Sequence, residues 1–266
     1  MAVEFFGYVA SVFVGIILGL LGGGGSILSI PILVYLFGIE PVLASAYSLF
    51  IVGVTSLTGA ISKYKEHLVN LKTGILFGIP SIVTIFCTRK WIVPAIPEII
   101  LTTDDVVVTK RLLLLGVFAL LMIPASIPMI KGRNNFVSEN QKFRVFLVIV
   151  EGSIIGFLTG LVGAGGGFLI VPALVFLTGL PFKTAVGTSL FIISINSLLG
   201  FAGDLTNHSM NWKFLLTISA LAITGIIIGD NLSDKIQASK LKKGFGWMTL
   251  AMGCYILVRE LSEVLN

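Results

Sequence analysis

The sequence predicts an all-α integral membrane protein, a polytopic bundle of two inverted repeats with broken glycine-rich helical hairpins near the midplane. Three observations lead there: the composition, the length of the apolar runs, and a stretch that recurs 141 residues further along. Hydrophobic residues make up 56% of the chain and charged residues 12%, with a mean hydropathy of +1.03. A soluble domain carries about 25% charge.

The apolar segments fall at about 5–21, 26–38, 42–62, 73–88 and 112–130, then 143–162, 168–179, 183–203, 214–229 and 245–259. At 1.5 Å of rise per residue, about 20 residues cross a hydrocarbon core of about 30 Å. Most segments approach that length, and none has the alternating pattern of a membrane barrel strand. The second of each set is too short to span. A glycine run precedes it, so each reads as one arm of a broken hairpin that enters the membrane and turns back. The opening "MAVEFF" has an acid and no basic n-region, and no small-residue cleavage site follows, which predicts a retained helix rather than a signal peptide.

The repeat is visible in register. Residues 15–59 align with 156–200 without a gap, and about 20 of the 45 positions are identical. Gly22 pairs with Gly163, Gly24 with Gly165, Gly25 with Gly166, Pro31 with Pro172 and Ser48 with Ser189. The same offset pairs Asn70 with Asn211 further on. This is an internal duplication. It divides the chain into a first transmembrane repeat (1–130), a linker (131–144) and a second transmembrane repeat (145–266).

The net charge of +5 sits in short loops without interleaved aromatics, which excludes a nucleic-acid surface. If each half crosses the bilayer an odd number of times, the basic loops 63–72, 131–144 and 234–243 share one side. The positive-inside rule makes that side cytoplasmic, in a multi-pass protein of the cell (inner) membrane. Odd repeats also run in opposite senses, the symmetry of many alternating-access carriers. Cys87 and Cys254 stand alone and read as packing residues.

The glycine runs pose a chemical question. Non-helical backbone inside a bilayer persists only where it is buried in protein or lines a polar cavity. Each run opens a short helix whose first amides lack partners and whose dipole points its positive end at the turn. That makes an anion site. Gly22, Gly23, Gly24, Gly25 and Ser26 in one half, with Gly163, Gly165, Gly166 and Gly167 in the other, are therefore candidate substrate-binding residues. Gly15, Gly19, Gly156 and Gly160 have the small-xxx-small spacing of close helix packing instead. No strand precedes either run and no P-loop lysine follows, so no nucleotide is implied.

The paired turns "GLLGGGG" and "GLVGAGGG", the segment "AVGTSLFIISINSLLGF" (185–201) and the loop "HSMNWK" (208–213) resemble the TauE/SafE family of membrane permeases, also called the 4-toluene sulfonate uptake permease family. The resemblance runs over nearly the whole chain. It implies a carrier of small sulfur-containing anions or organic acids, such as sulfite and sulfonates. Ser26 stands where the second half has a third glycine, and "SAYSLF" stands where it has "AVGTSLF".

The third segment of each half brings polar groups to membrane depth. Ser48, Thr55 and Ser56 lie in one, and Thr188, Ser189, Asn196 and Ser197 in the other; of these Ser48, Thr188, Ser189 and Asn196 join the candidate site as uncharged donors to oxyanion oxygens. Glu151, an acid inside the sixth segment, is the candidate for coupling by proton. Arg89 and Asp230, equivalent in the repeat, are candidate gate charges. His67 and His208 fall in opposite-facing loops and make no metal site. The function expected is a secondary carrier of a small anion working in the bilayer, with no cofactor, no metal and no catalytic residues. An anion channel on the same glycine tips is the alternative, and a membrane enzyme or assembly subunit lacks any catalytic cluster. Proton or sodium coupling and the oligomeric state stay open at this point.

Overall fold

The structure, a computed structural model, describes residues 2–103, 106–131, 141–163, 165–205, 209–233 and 235–265. The first repeat contains α1 (Ala2–Leu21), α2 (Gly24–Tyr35), α3 (Pro41–Lys65) and α4 (Leu71–Cys87). A π-helical turn, Thr88–Ile92, carries α4 on into α5 (Val93–Ala95), so that Leu71–Ala95 is one rod. A short antiparallel hairpin follows, β1 (Ile99–Thr103) and β2 (Val106–Thr109), with Thr103 opposite Val106. It leads into α6 (Lys110–Lys131). The second repeat contains α7 (Gln141–Val162), α8 (Gly167–Leu177), α9 (Phe182–Asp204), α10 (Trp212–Ser233) and α11 (Ala238–Leu265). Among the described residues, five helical rods, Pro41–Lys65, Leu71–Ala95, Lys110–Lys131, Phe182–Asp204 and Trp212–Ser233, are long and apolar enough to cross a bilayer. Among the described residues the β-hairpin has no counterpart between α10 and α11, and the apolar pattern gave no sign of it.

Local chemistry sets the helix ends, and it does so twice. The Asn70 side chain accepts from the Thr73 amide at the start of α4, and Asn211 accepts from the Phe214 amide at the start of α10. These are side-chain N-caps at repeat-equivalent positions. The Asn70 amide donates to Thr188 Oγ1 of α9 at 2.9 Å, and the Asn211 amide donates to Tyr47 Oη of α3 at 2.9 Å. Thr188 and Tyr47 are again repeat mates. After α2 and α8, Gly38 and Gly179 adopt positive φ, +67° and +70°.

The helix pairings are unchanged when the halves are exchanged: α1 packs on α10 as α7 packs on α4, α3 packs on α10 as α9 packs on α4, and α3 packs on α9, α6 on α11. Glycine makes two of these contacts close. Gly15 and Gly19 lie against the backbone of α10 at Ala222 and Ile226, while Gly156 and Gly160 lie against α4 at Ser81 and Ile85. A side chain on any of the four would collide with its neighbour, which is the geometry of small-residue helix packing.

α3 and α9 form the buried centre. They run antiparallel: Gly187 packs on Lys63 and Leu68 at one end, Gly53 on Leu198 in the middle, and Ser45 lies near Asp204 at the other end, both bonded to Arg89. These two helices are repeat mates, so their antiparallel packing is what an inverted duplication requires. The hairpins return to the side they came from. Tyr8 and Phe37 stack edge to face at 5.5 Å, and Lys242 lies over the Phe176 ring at 4.7 Å.

Outward-facing apolar side chains such as Phe13, Ile79, Leu120, Phe146 and Leu216 form the surface that lipid covers. At one end, Lys63, Leu68, Ser233 and Leu241 line a common small cavity, and Met129 and Ile130 pack on Gly246. The described parts of the 63–72, 131–144 and 234–243 loops therefore share that end; residues 132–140 and Asp234 lie outside the described residues. At the opposite end Glu260 accepts from Tyr35 and, through both oxygens, from Arg111 Nε and Nη2.

Candidate functional site

The two glycine runs meet. Gly22 leaves α1 with φ +70°, Gly23 caps α2, and Gly163 leaves α7 with φ +81°, followed by Gly165 at +67° and Gly166 at +72°. Neither Gly23 nor Gly166 offers a side-chain cap, so the opening amides of α2 and α8 are left to other acceptors. Gly23 and Gly167 touch backbone to backbone; neither has room for a side chain. Ala164 lies outside the described residues. Gly165 sits at the middle of the central helices, where an added Cβ would lie 2.8 Å from Ser197 Oγ and 3.0 Å from Val52. Gly24 and Gly25 instead face Met248 and the backbone of α1, and Ser26 donates to Gly23 O at 2.6 Å.

The predicted hydroxyls divide into two groups. Ser48 shares a hydrogen bond with Ser29 (2.6 Å), Thr188 accepts from Asn70, and Ser189 reaches Val186 O (2.7 Å) and Gly22 O (3.2 Å). These tie helices and turns together. Two turns further along, the hydroxyls of Thr55, Ser56 and Ser197 are buried without a partner, and so is Asn196 Oδ1, whose amide nitrogen donates to Ser81 Oγ at 2.6 Å. Thr55 matches Asn196 and Ser56 matches Ser197 in the repeat. Thr159 Oγ1, also buried and unpartnered, lies where a side chain on Gly166 would have to go. Unpaired polar atoms in an interior cost about 1–3 kcal/mol each, so this set, with Ser197 and Thr159 against the second glycine turn, points to a polar guest.

The candidate gate charges fall into two ion pairs. Arg89 and Asp204 pair at 3.2 Å, fully buried, and Arg89 Nη1 also donates to Ser45 Oγ at 2.8 Å. Lys63 pairs with Asp230 and, at 2.8 Å, with Glu66, while Ser62 donates to Asp230. The repeat offset pairs Arg89 with Asp230 and Lys63 with Asp204. Each pair therefore joins the same two positions with the charges exchanged. Lys63 and Asp204 escaped the sequence reading although they obey the same offset; each looked like an ordinary charge at a helix end.

Glu151 stands apart. It is half-buried on α7, and among the described residues it makes no hydrogen bond or ion pair. Its neighbour Gly152 packs on Phe77 and Pro80 of α4, and Glu151 lies about 12 Å along the helix axis from Thr159 at 1.5 Å per residue. His67 holds a left-handed backbone, φ 58°, and His208 lies outside the described residues. Among the described residues no group of three or more His, Cys, Asp or Glu is placed to hold a metal.

Paired broken hairpins, meeting tips and charges buried at both ends of a duplicated bundle define a polytopic membrane transport protein. Residues 8–256 match the family described as Sulfite exporter TauE/SafE, and the chain belongs to that family. It is similar to a probable membrane transporter protein of Xylella fastidiosa (strain Temecula1), 32% identical over 93% of this chain and 92% of that protein. It is also similar to the probable membrane transporter protein YunE of Bacillus subtilis, 26% identical over 94% and 97% of the two chains. The chain is a multi-pass membrane transporter, and its relatives are named as transporters rather than enzymes.

Proposed function

We propose that this transporter carries a small oxyanion, a sulfite, a sulfonate or a short carboxylate, by alternating access, with the anion held where the two glycine runs meet. The observation that carries this reading is the set of buried, unpartnered polar atoms at repeat-equivalent positions, Thr55 and Ser56 on α3 and Asn196 and Ser197 on α9, with Ser197 against the Gly165 turn. Hydroxyl O–H groups, the uncapped amides of α2 and α8 and their helix dipoles all favour negative charge without holding it as tightly as a full cation. A carrier has to release what it binds.

The shared end of the basic loops is the cytoplasmic side in this reading. Proton coupling is assigned to Glu151, an ionisable side chain within a membrane helix.

Ser197→Ala tests the site. Removing an unpartnered buried hydroxyl leaves stability nearly unchanged, while the affinity for sulfite, measured by titration calorimetry on detergent-purified protein, falls about tenfold, the equivalent of about 1.4 kcal/mol. Gly165→Val, which forces a β-branched side chain onto Ser197 and into a φ of +67°, abolishes binding. Wild-type affinity in a folded Ser197→Ala and Gly165→Val pair removes the anion from the tips. Flux that neither saturates nor counter-exchanges makes the same site a channel.

A further inference from the structure

The strongest cation in the interior is incompletely satisfied, in a specific way. Arg89 is fully buried. Its Nη1 holds Asp204 and Ser45, while Nε and Nη2 have no partner. Those two nitrogens form one edge of the guanidinium, the edge whose parallel N–H groups match two oxygens of a carboxylate, sulfonate or phosphate. The molecule shows the match elsewhere: Arg111 turns its Nε and Nη2 onto the two oxygens of Glu260, each at 3.2 Å. In Arg89 the same edge is buried without an acceptor.

The surroundings of that edge are unusual too. Arg89 lies in the π-helical turn Thr88–Ile92, which α10 lacks at the equivalent place, and π-turns inside helices concentrate at functional sites. Nη2 reaches the turn that opens the second glycine run: a side chain on Gly163 would fall on it, and the φ of +81° excludes one in any case. Ser45 and Gly203 close the other sides. Leaving two guanidinium donors unpaired in an interior is costly. An acceptor that comes and goes removes that cost for part of a cycle.

We propose that the Nε/Nη2 edge of Arg89 binds the oxygens of the transported anion, as a charged station beside Gly163 at the end of the bundle opposite the basic loops. The inference rests on the anion-carrier reading above and adds a residue and a side to it. The repeat mate of Arg89 is Asp230, a carboxylate, so the other end has no equivalent station. Asp204 keeps the guanidinium in place and tempers its charge, so that the anion is bound but not trapped.

The experiment compares wild-type full-length protein with three variants by titration calorimetry in detergent, using sodium sulfite, methanesulfonate and acetate. Arg89→Lys keeps the charge and loses the edge; affinity for all three anions falls at least tenfold. Arg89→Gln with Asp204→Asn replaces the pair by neutral hydrogen-bonding groups, leaves no buried charge behind should the single variant fail to fold, and loses binding. Lys63→Gln with Asp230→Asn makes the same replacement at the opposite end and retains wild-type affinity. Wild-type affinity in either Arg89 variant overturns the station and leaves the carrier reading standing, as do equal losses from the two double variants. Absence of binding of all three anions to the wild-type protein overturns both.

Discussion

The two ends of the central helix pair hold the same construction with opposite signs. At one end Lys63 of α3 meets Asp230 of α10; at the other Asp204 of α9 meets Arg89 of α4. Position for position the acid and the base have traded places, yet both ends keep an ion pair. The fold therefore asks for a neutral pair there and not for a charge of given sign. What differs is satisfaction. Lys63, a compact ammonium, is bound by Asp230 and Glu66, whereas Arg89, a flat fork, has one carboxylate neighbour and two donors unpaired. A duplicated scaffold has kept its packing and made its ends chemically unequal.

Labelling separates the ends most sharply. In a background without Cys87 and Cys254, single cysteines at Lys65 and Lys240 react from the same face of the membrane, and one at Glu98 beside the hairpin reacts from the other. The expected difference is all or none, and a shared face for all three breaks the two-ended picture. A large energetic effect comes next. Asp204→Ala strands a fully buried guanidinium and lowers stability by about 3–5 kcal/mol. Asp230→Ala leaves Lys63 with Glu66 and costs less. Thermal unfolding in detergent measures both, and equal losses would show that the ends are energetically alike after all. The smallest effects test the turns. Gly163→Ala adds a collision with Arg89 to left-handed backbone strain and destabilises more than Gly38→Ala, which has the same kind of φ but no atom within 4 Å of the added Cβ and loses only about 1–2 kcal/mol. A reversal of that order places Arg89 elsewhere.

The hydroxyls illustrate what sequence reading can and cannot sort. Ser48, Thr188 and Ser189 were binding candidates as uncharged donors at membrane depth, Ser48 and Ser189 at matching positions of the repeat. Each turned out to hold a helix, a turn or a loop amide. Ser56 and Ser197 are unremarkable by type, but their helix rotation leaves them facing no acceptor. One residue of shift along a helix turns a side chain by about 100°, and nothing in residue type reveals which acceptor it will then meet.

By itself the sequence determined the class of the protein, the duplication and the glycine hairpins. Hydrophobic length has to match bilayer thickness, and left-handed backbone strongly favours glycine, so both constraints are written residue by residue. Asn70 and Asn211 were legible as a repeat pair, and the structure shows both as N-caps. Only the tertiary structure decided that Arg89 meets Asp204, that Lys63 meets Asp230, and that Gly23 lies on Gly167. Those partners are separated by 115, 167 and 144 positions in the numbering. Their meeting depends on how α3 and α9 pack antiparallel, a property of the assembled bundle that no local pattern carries.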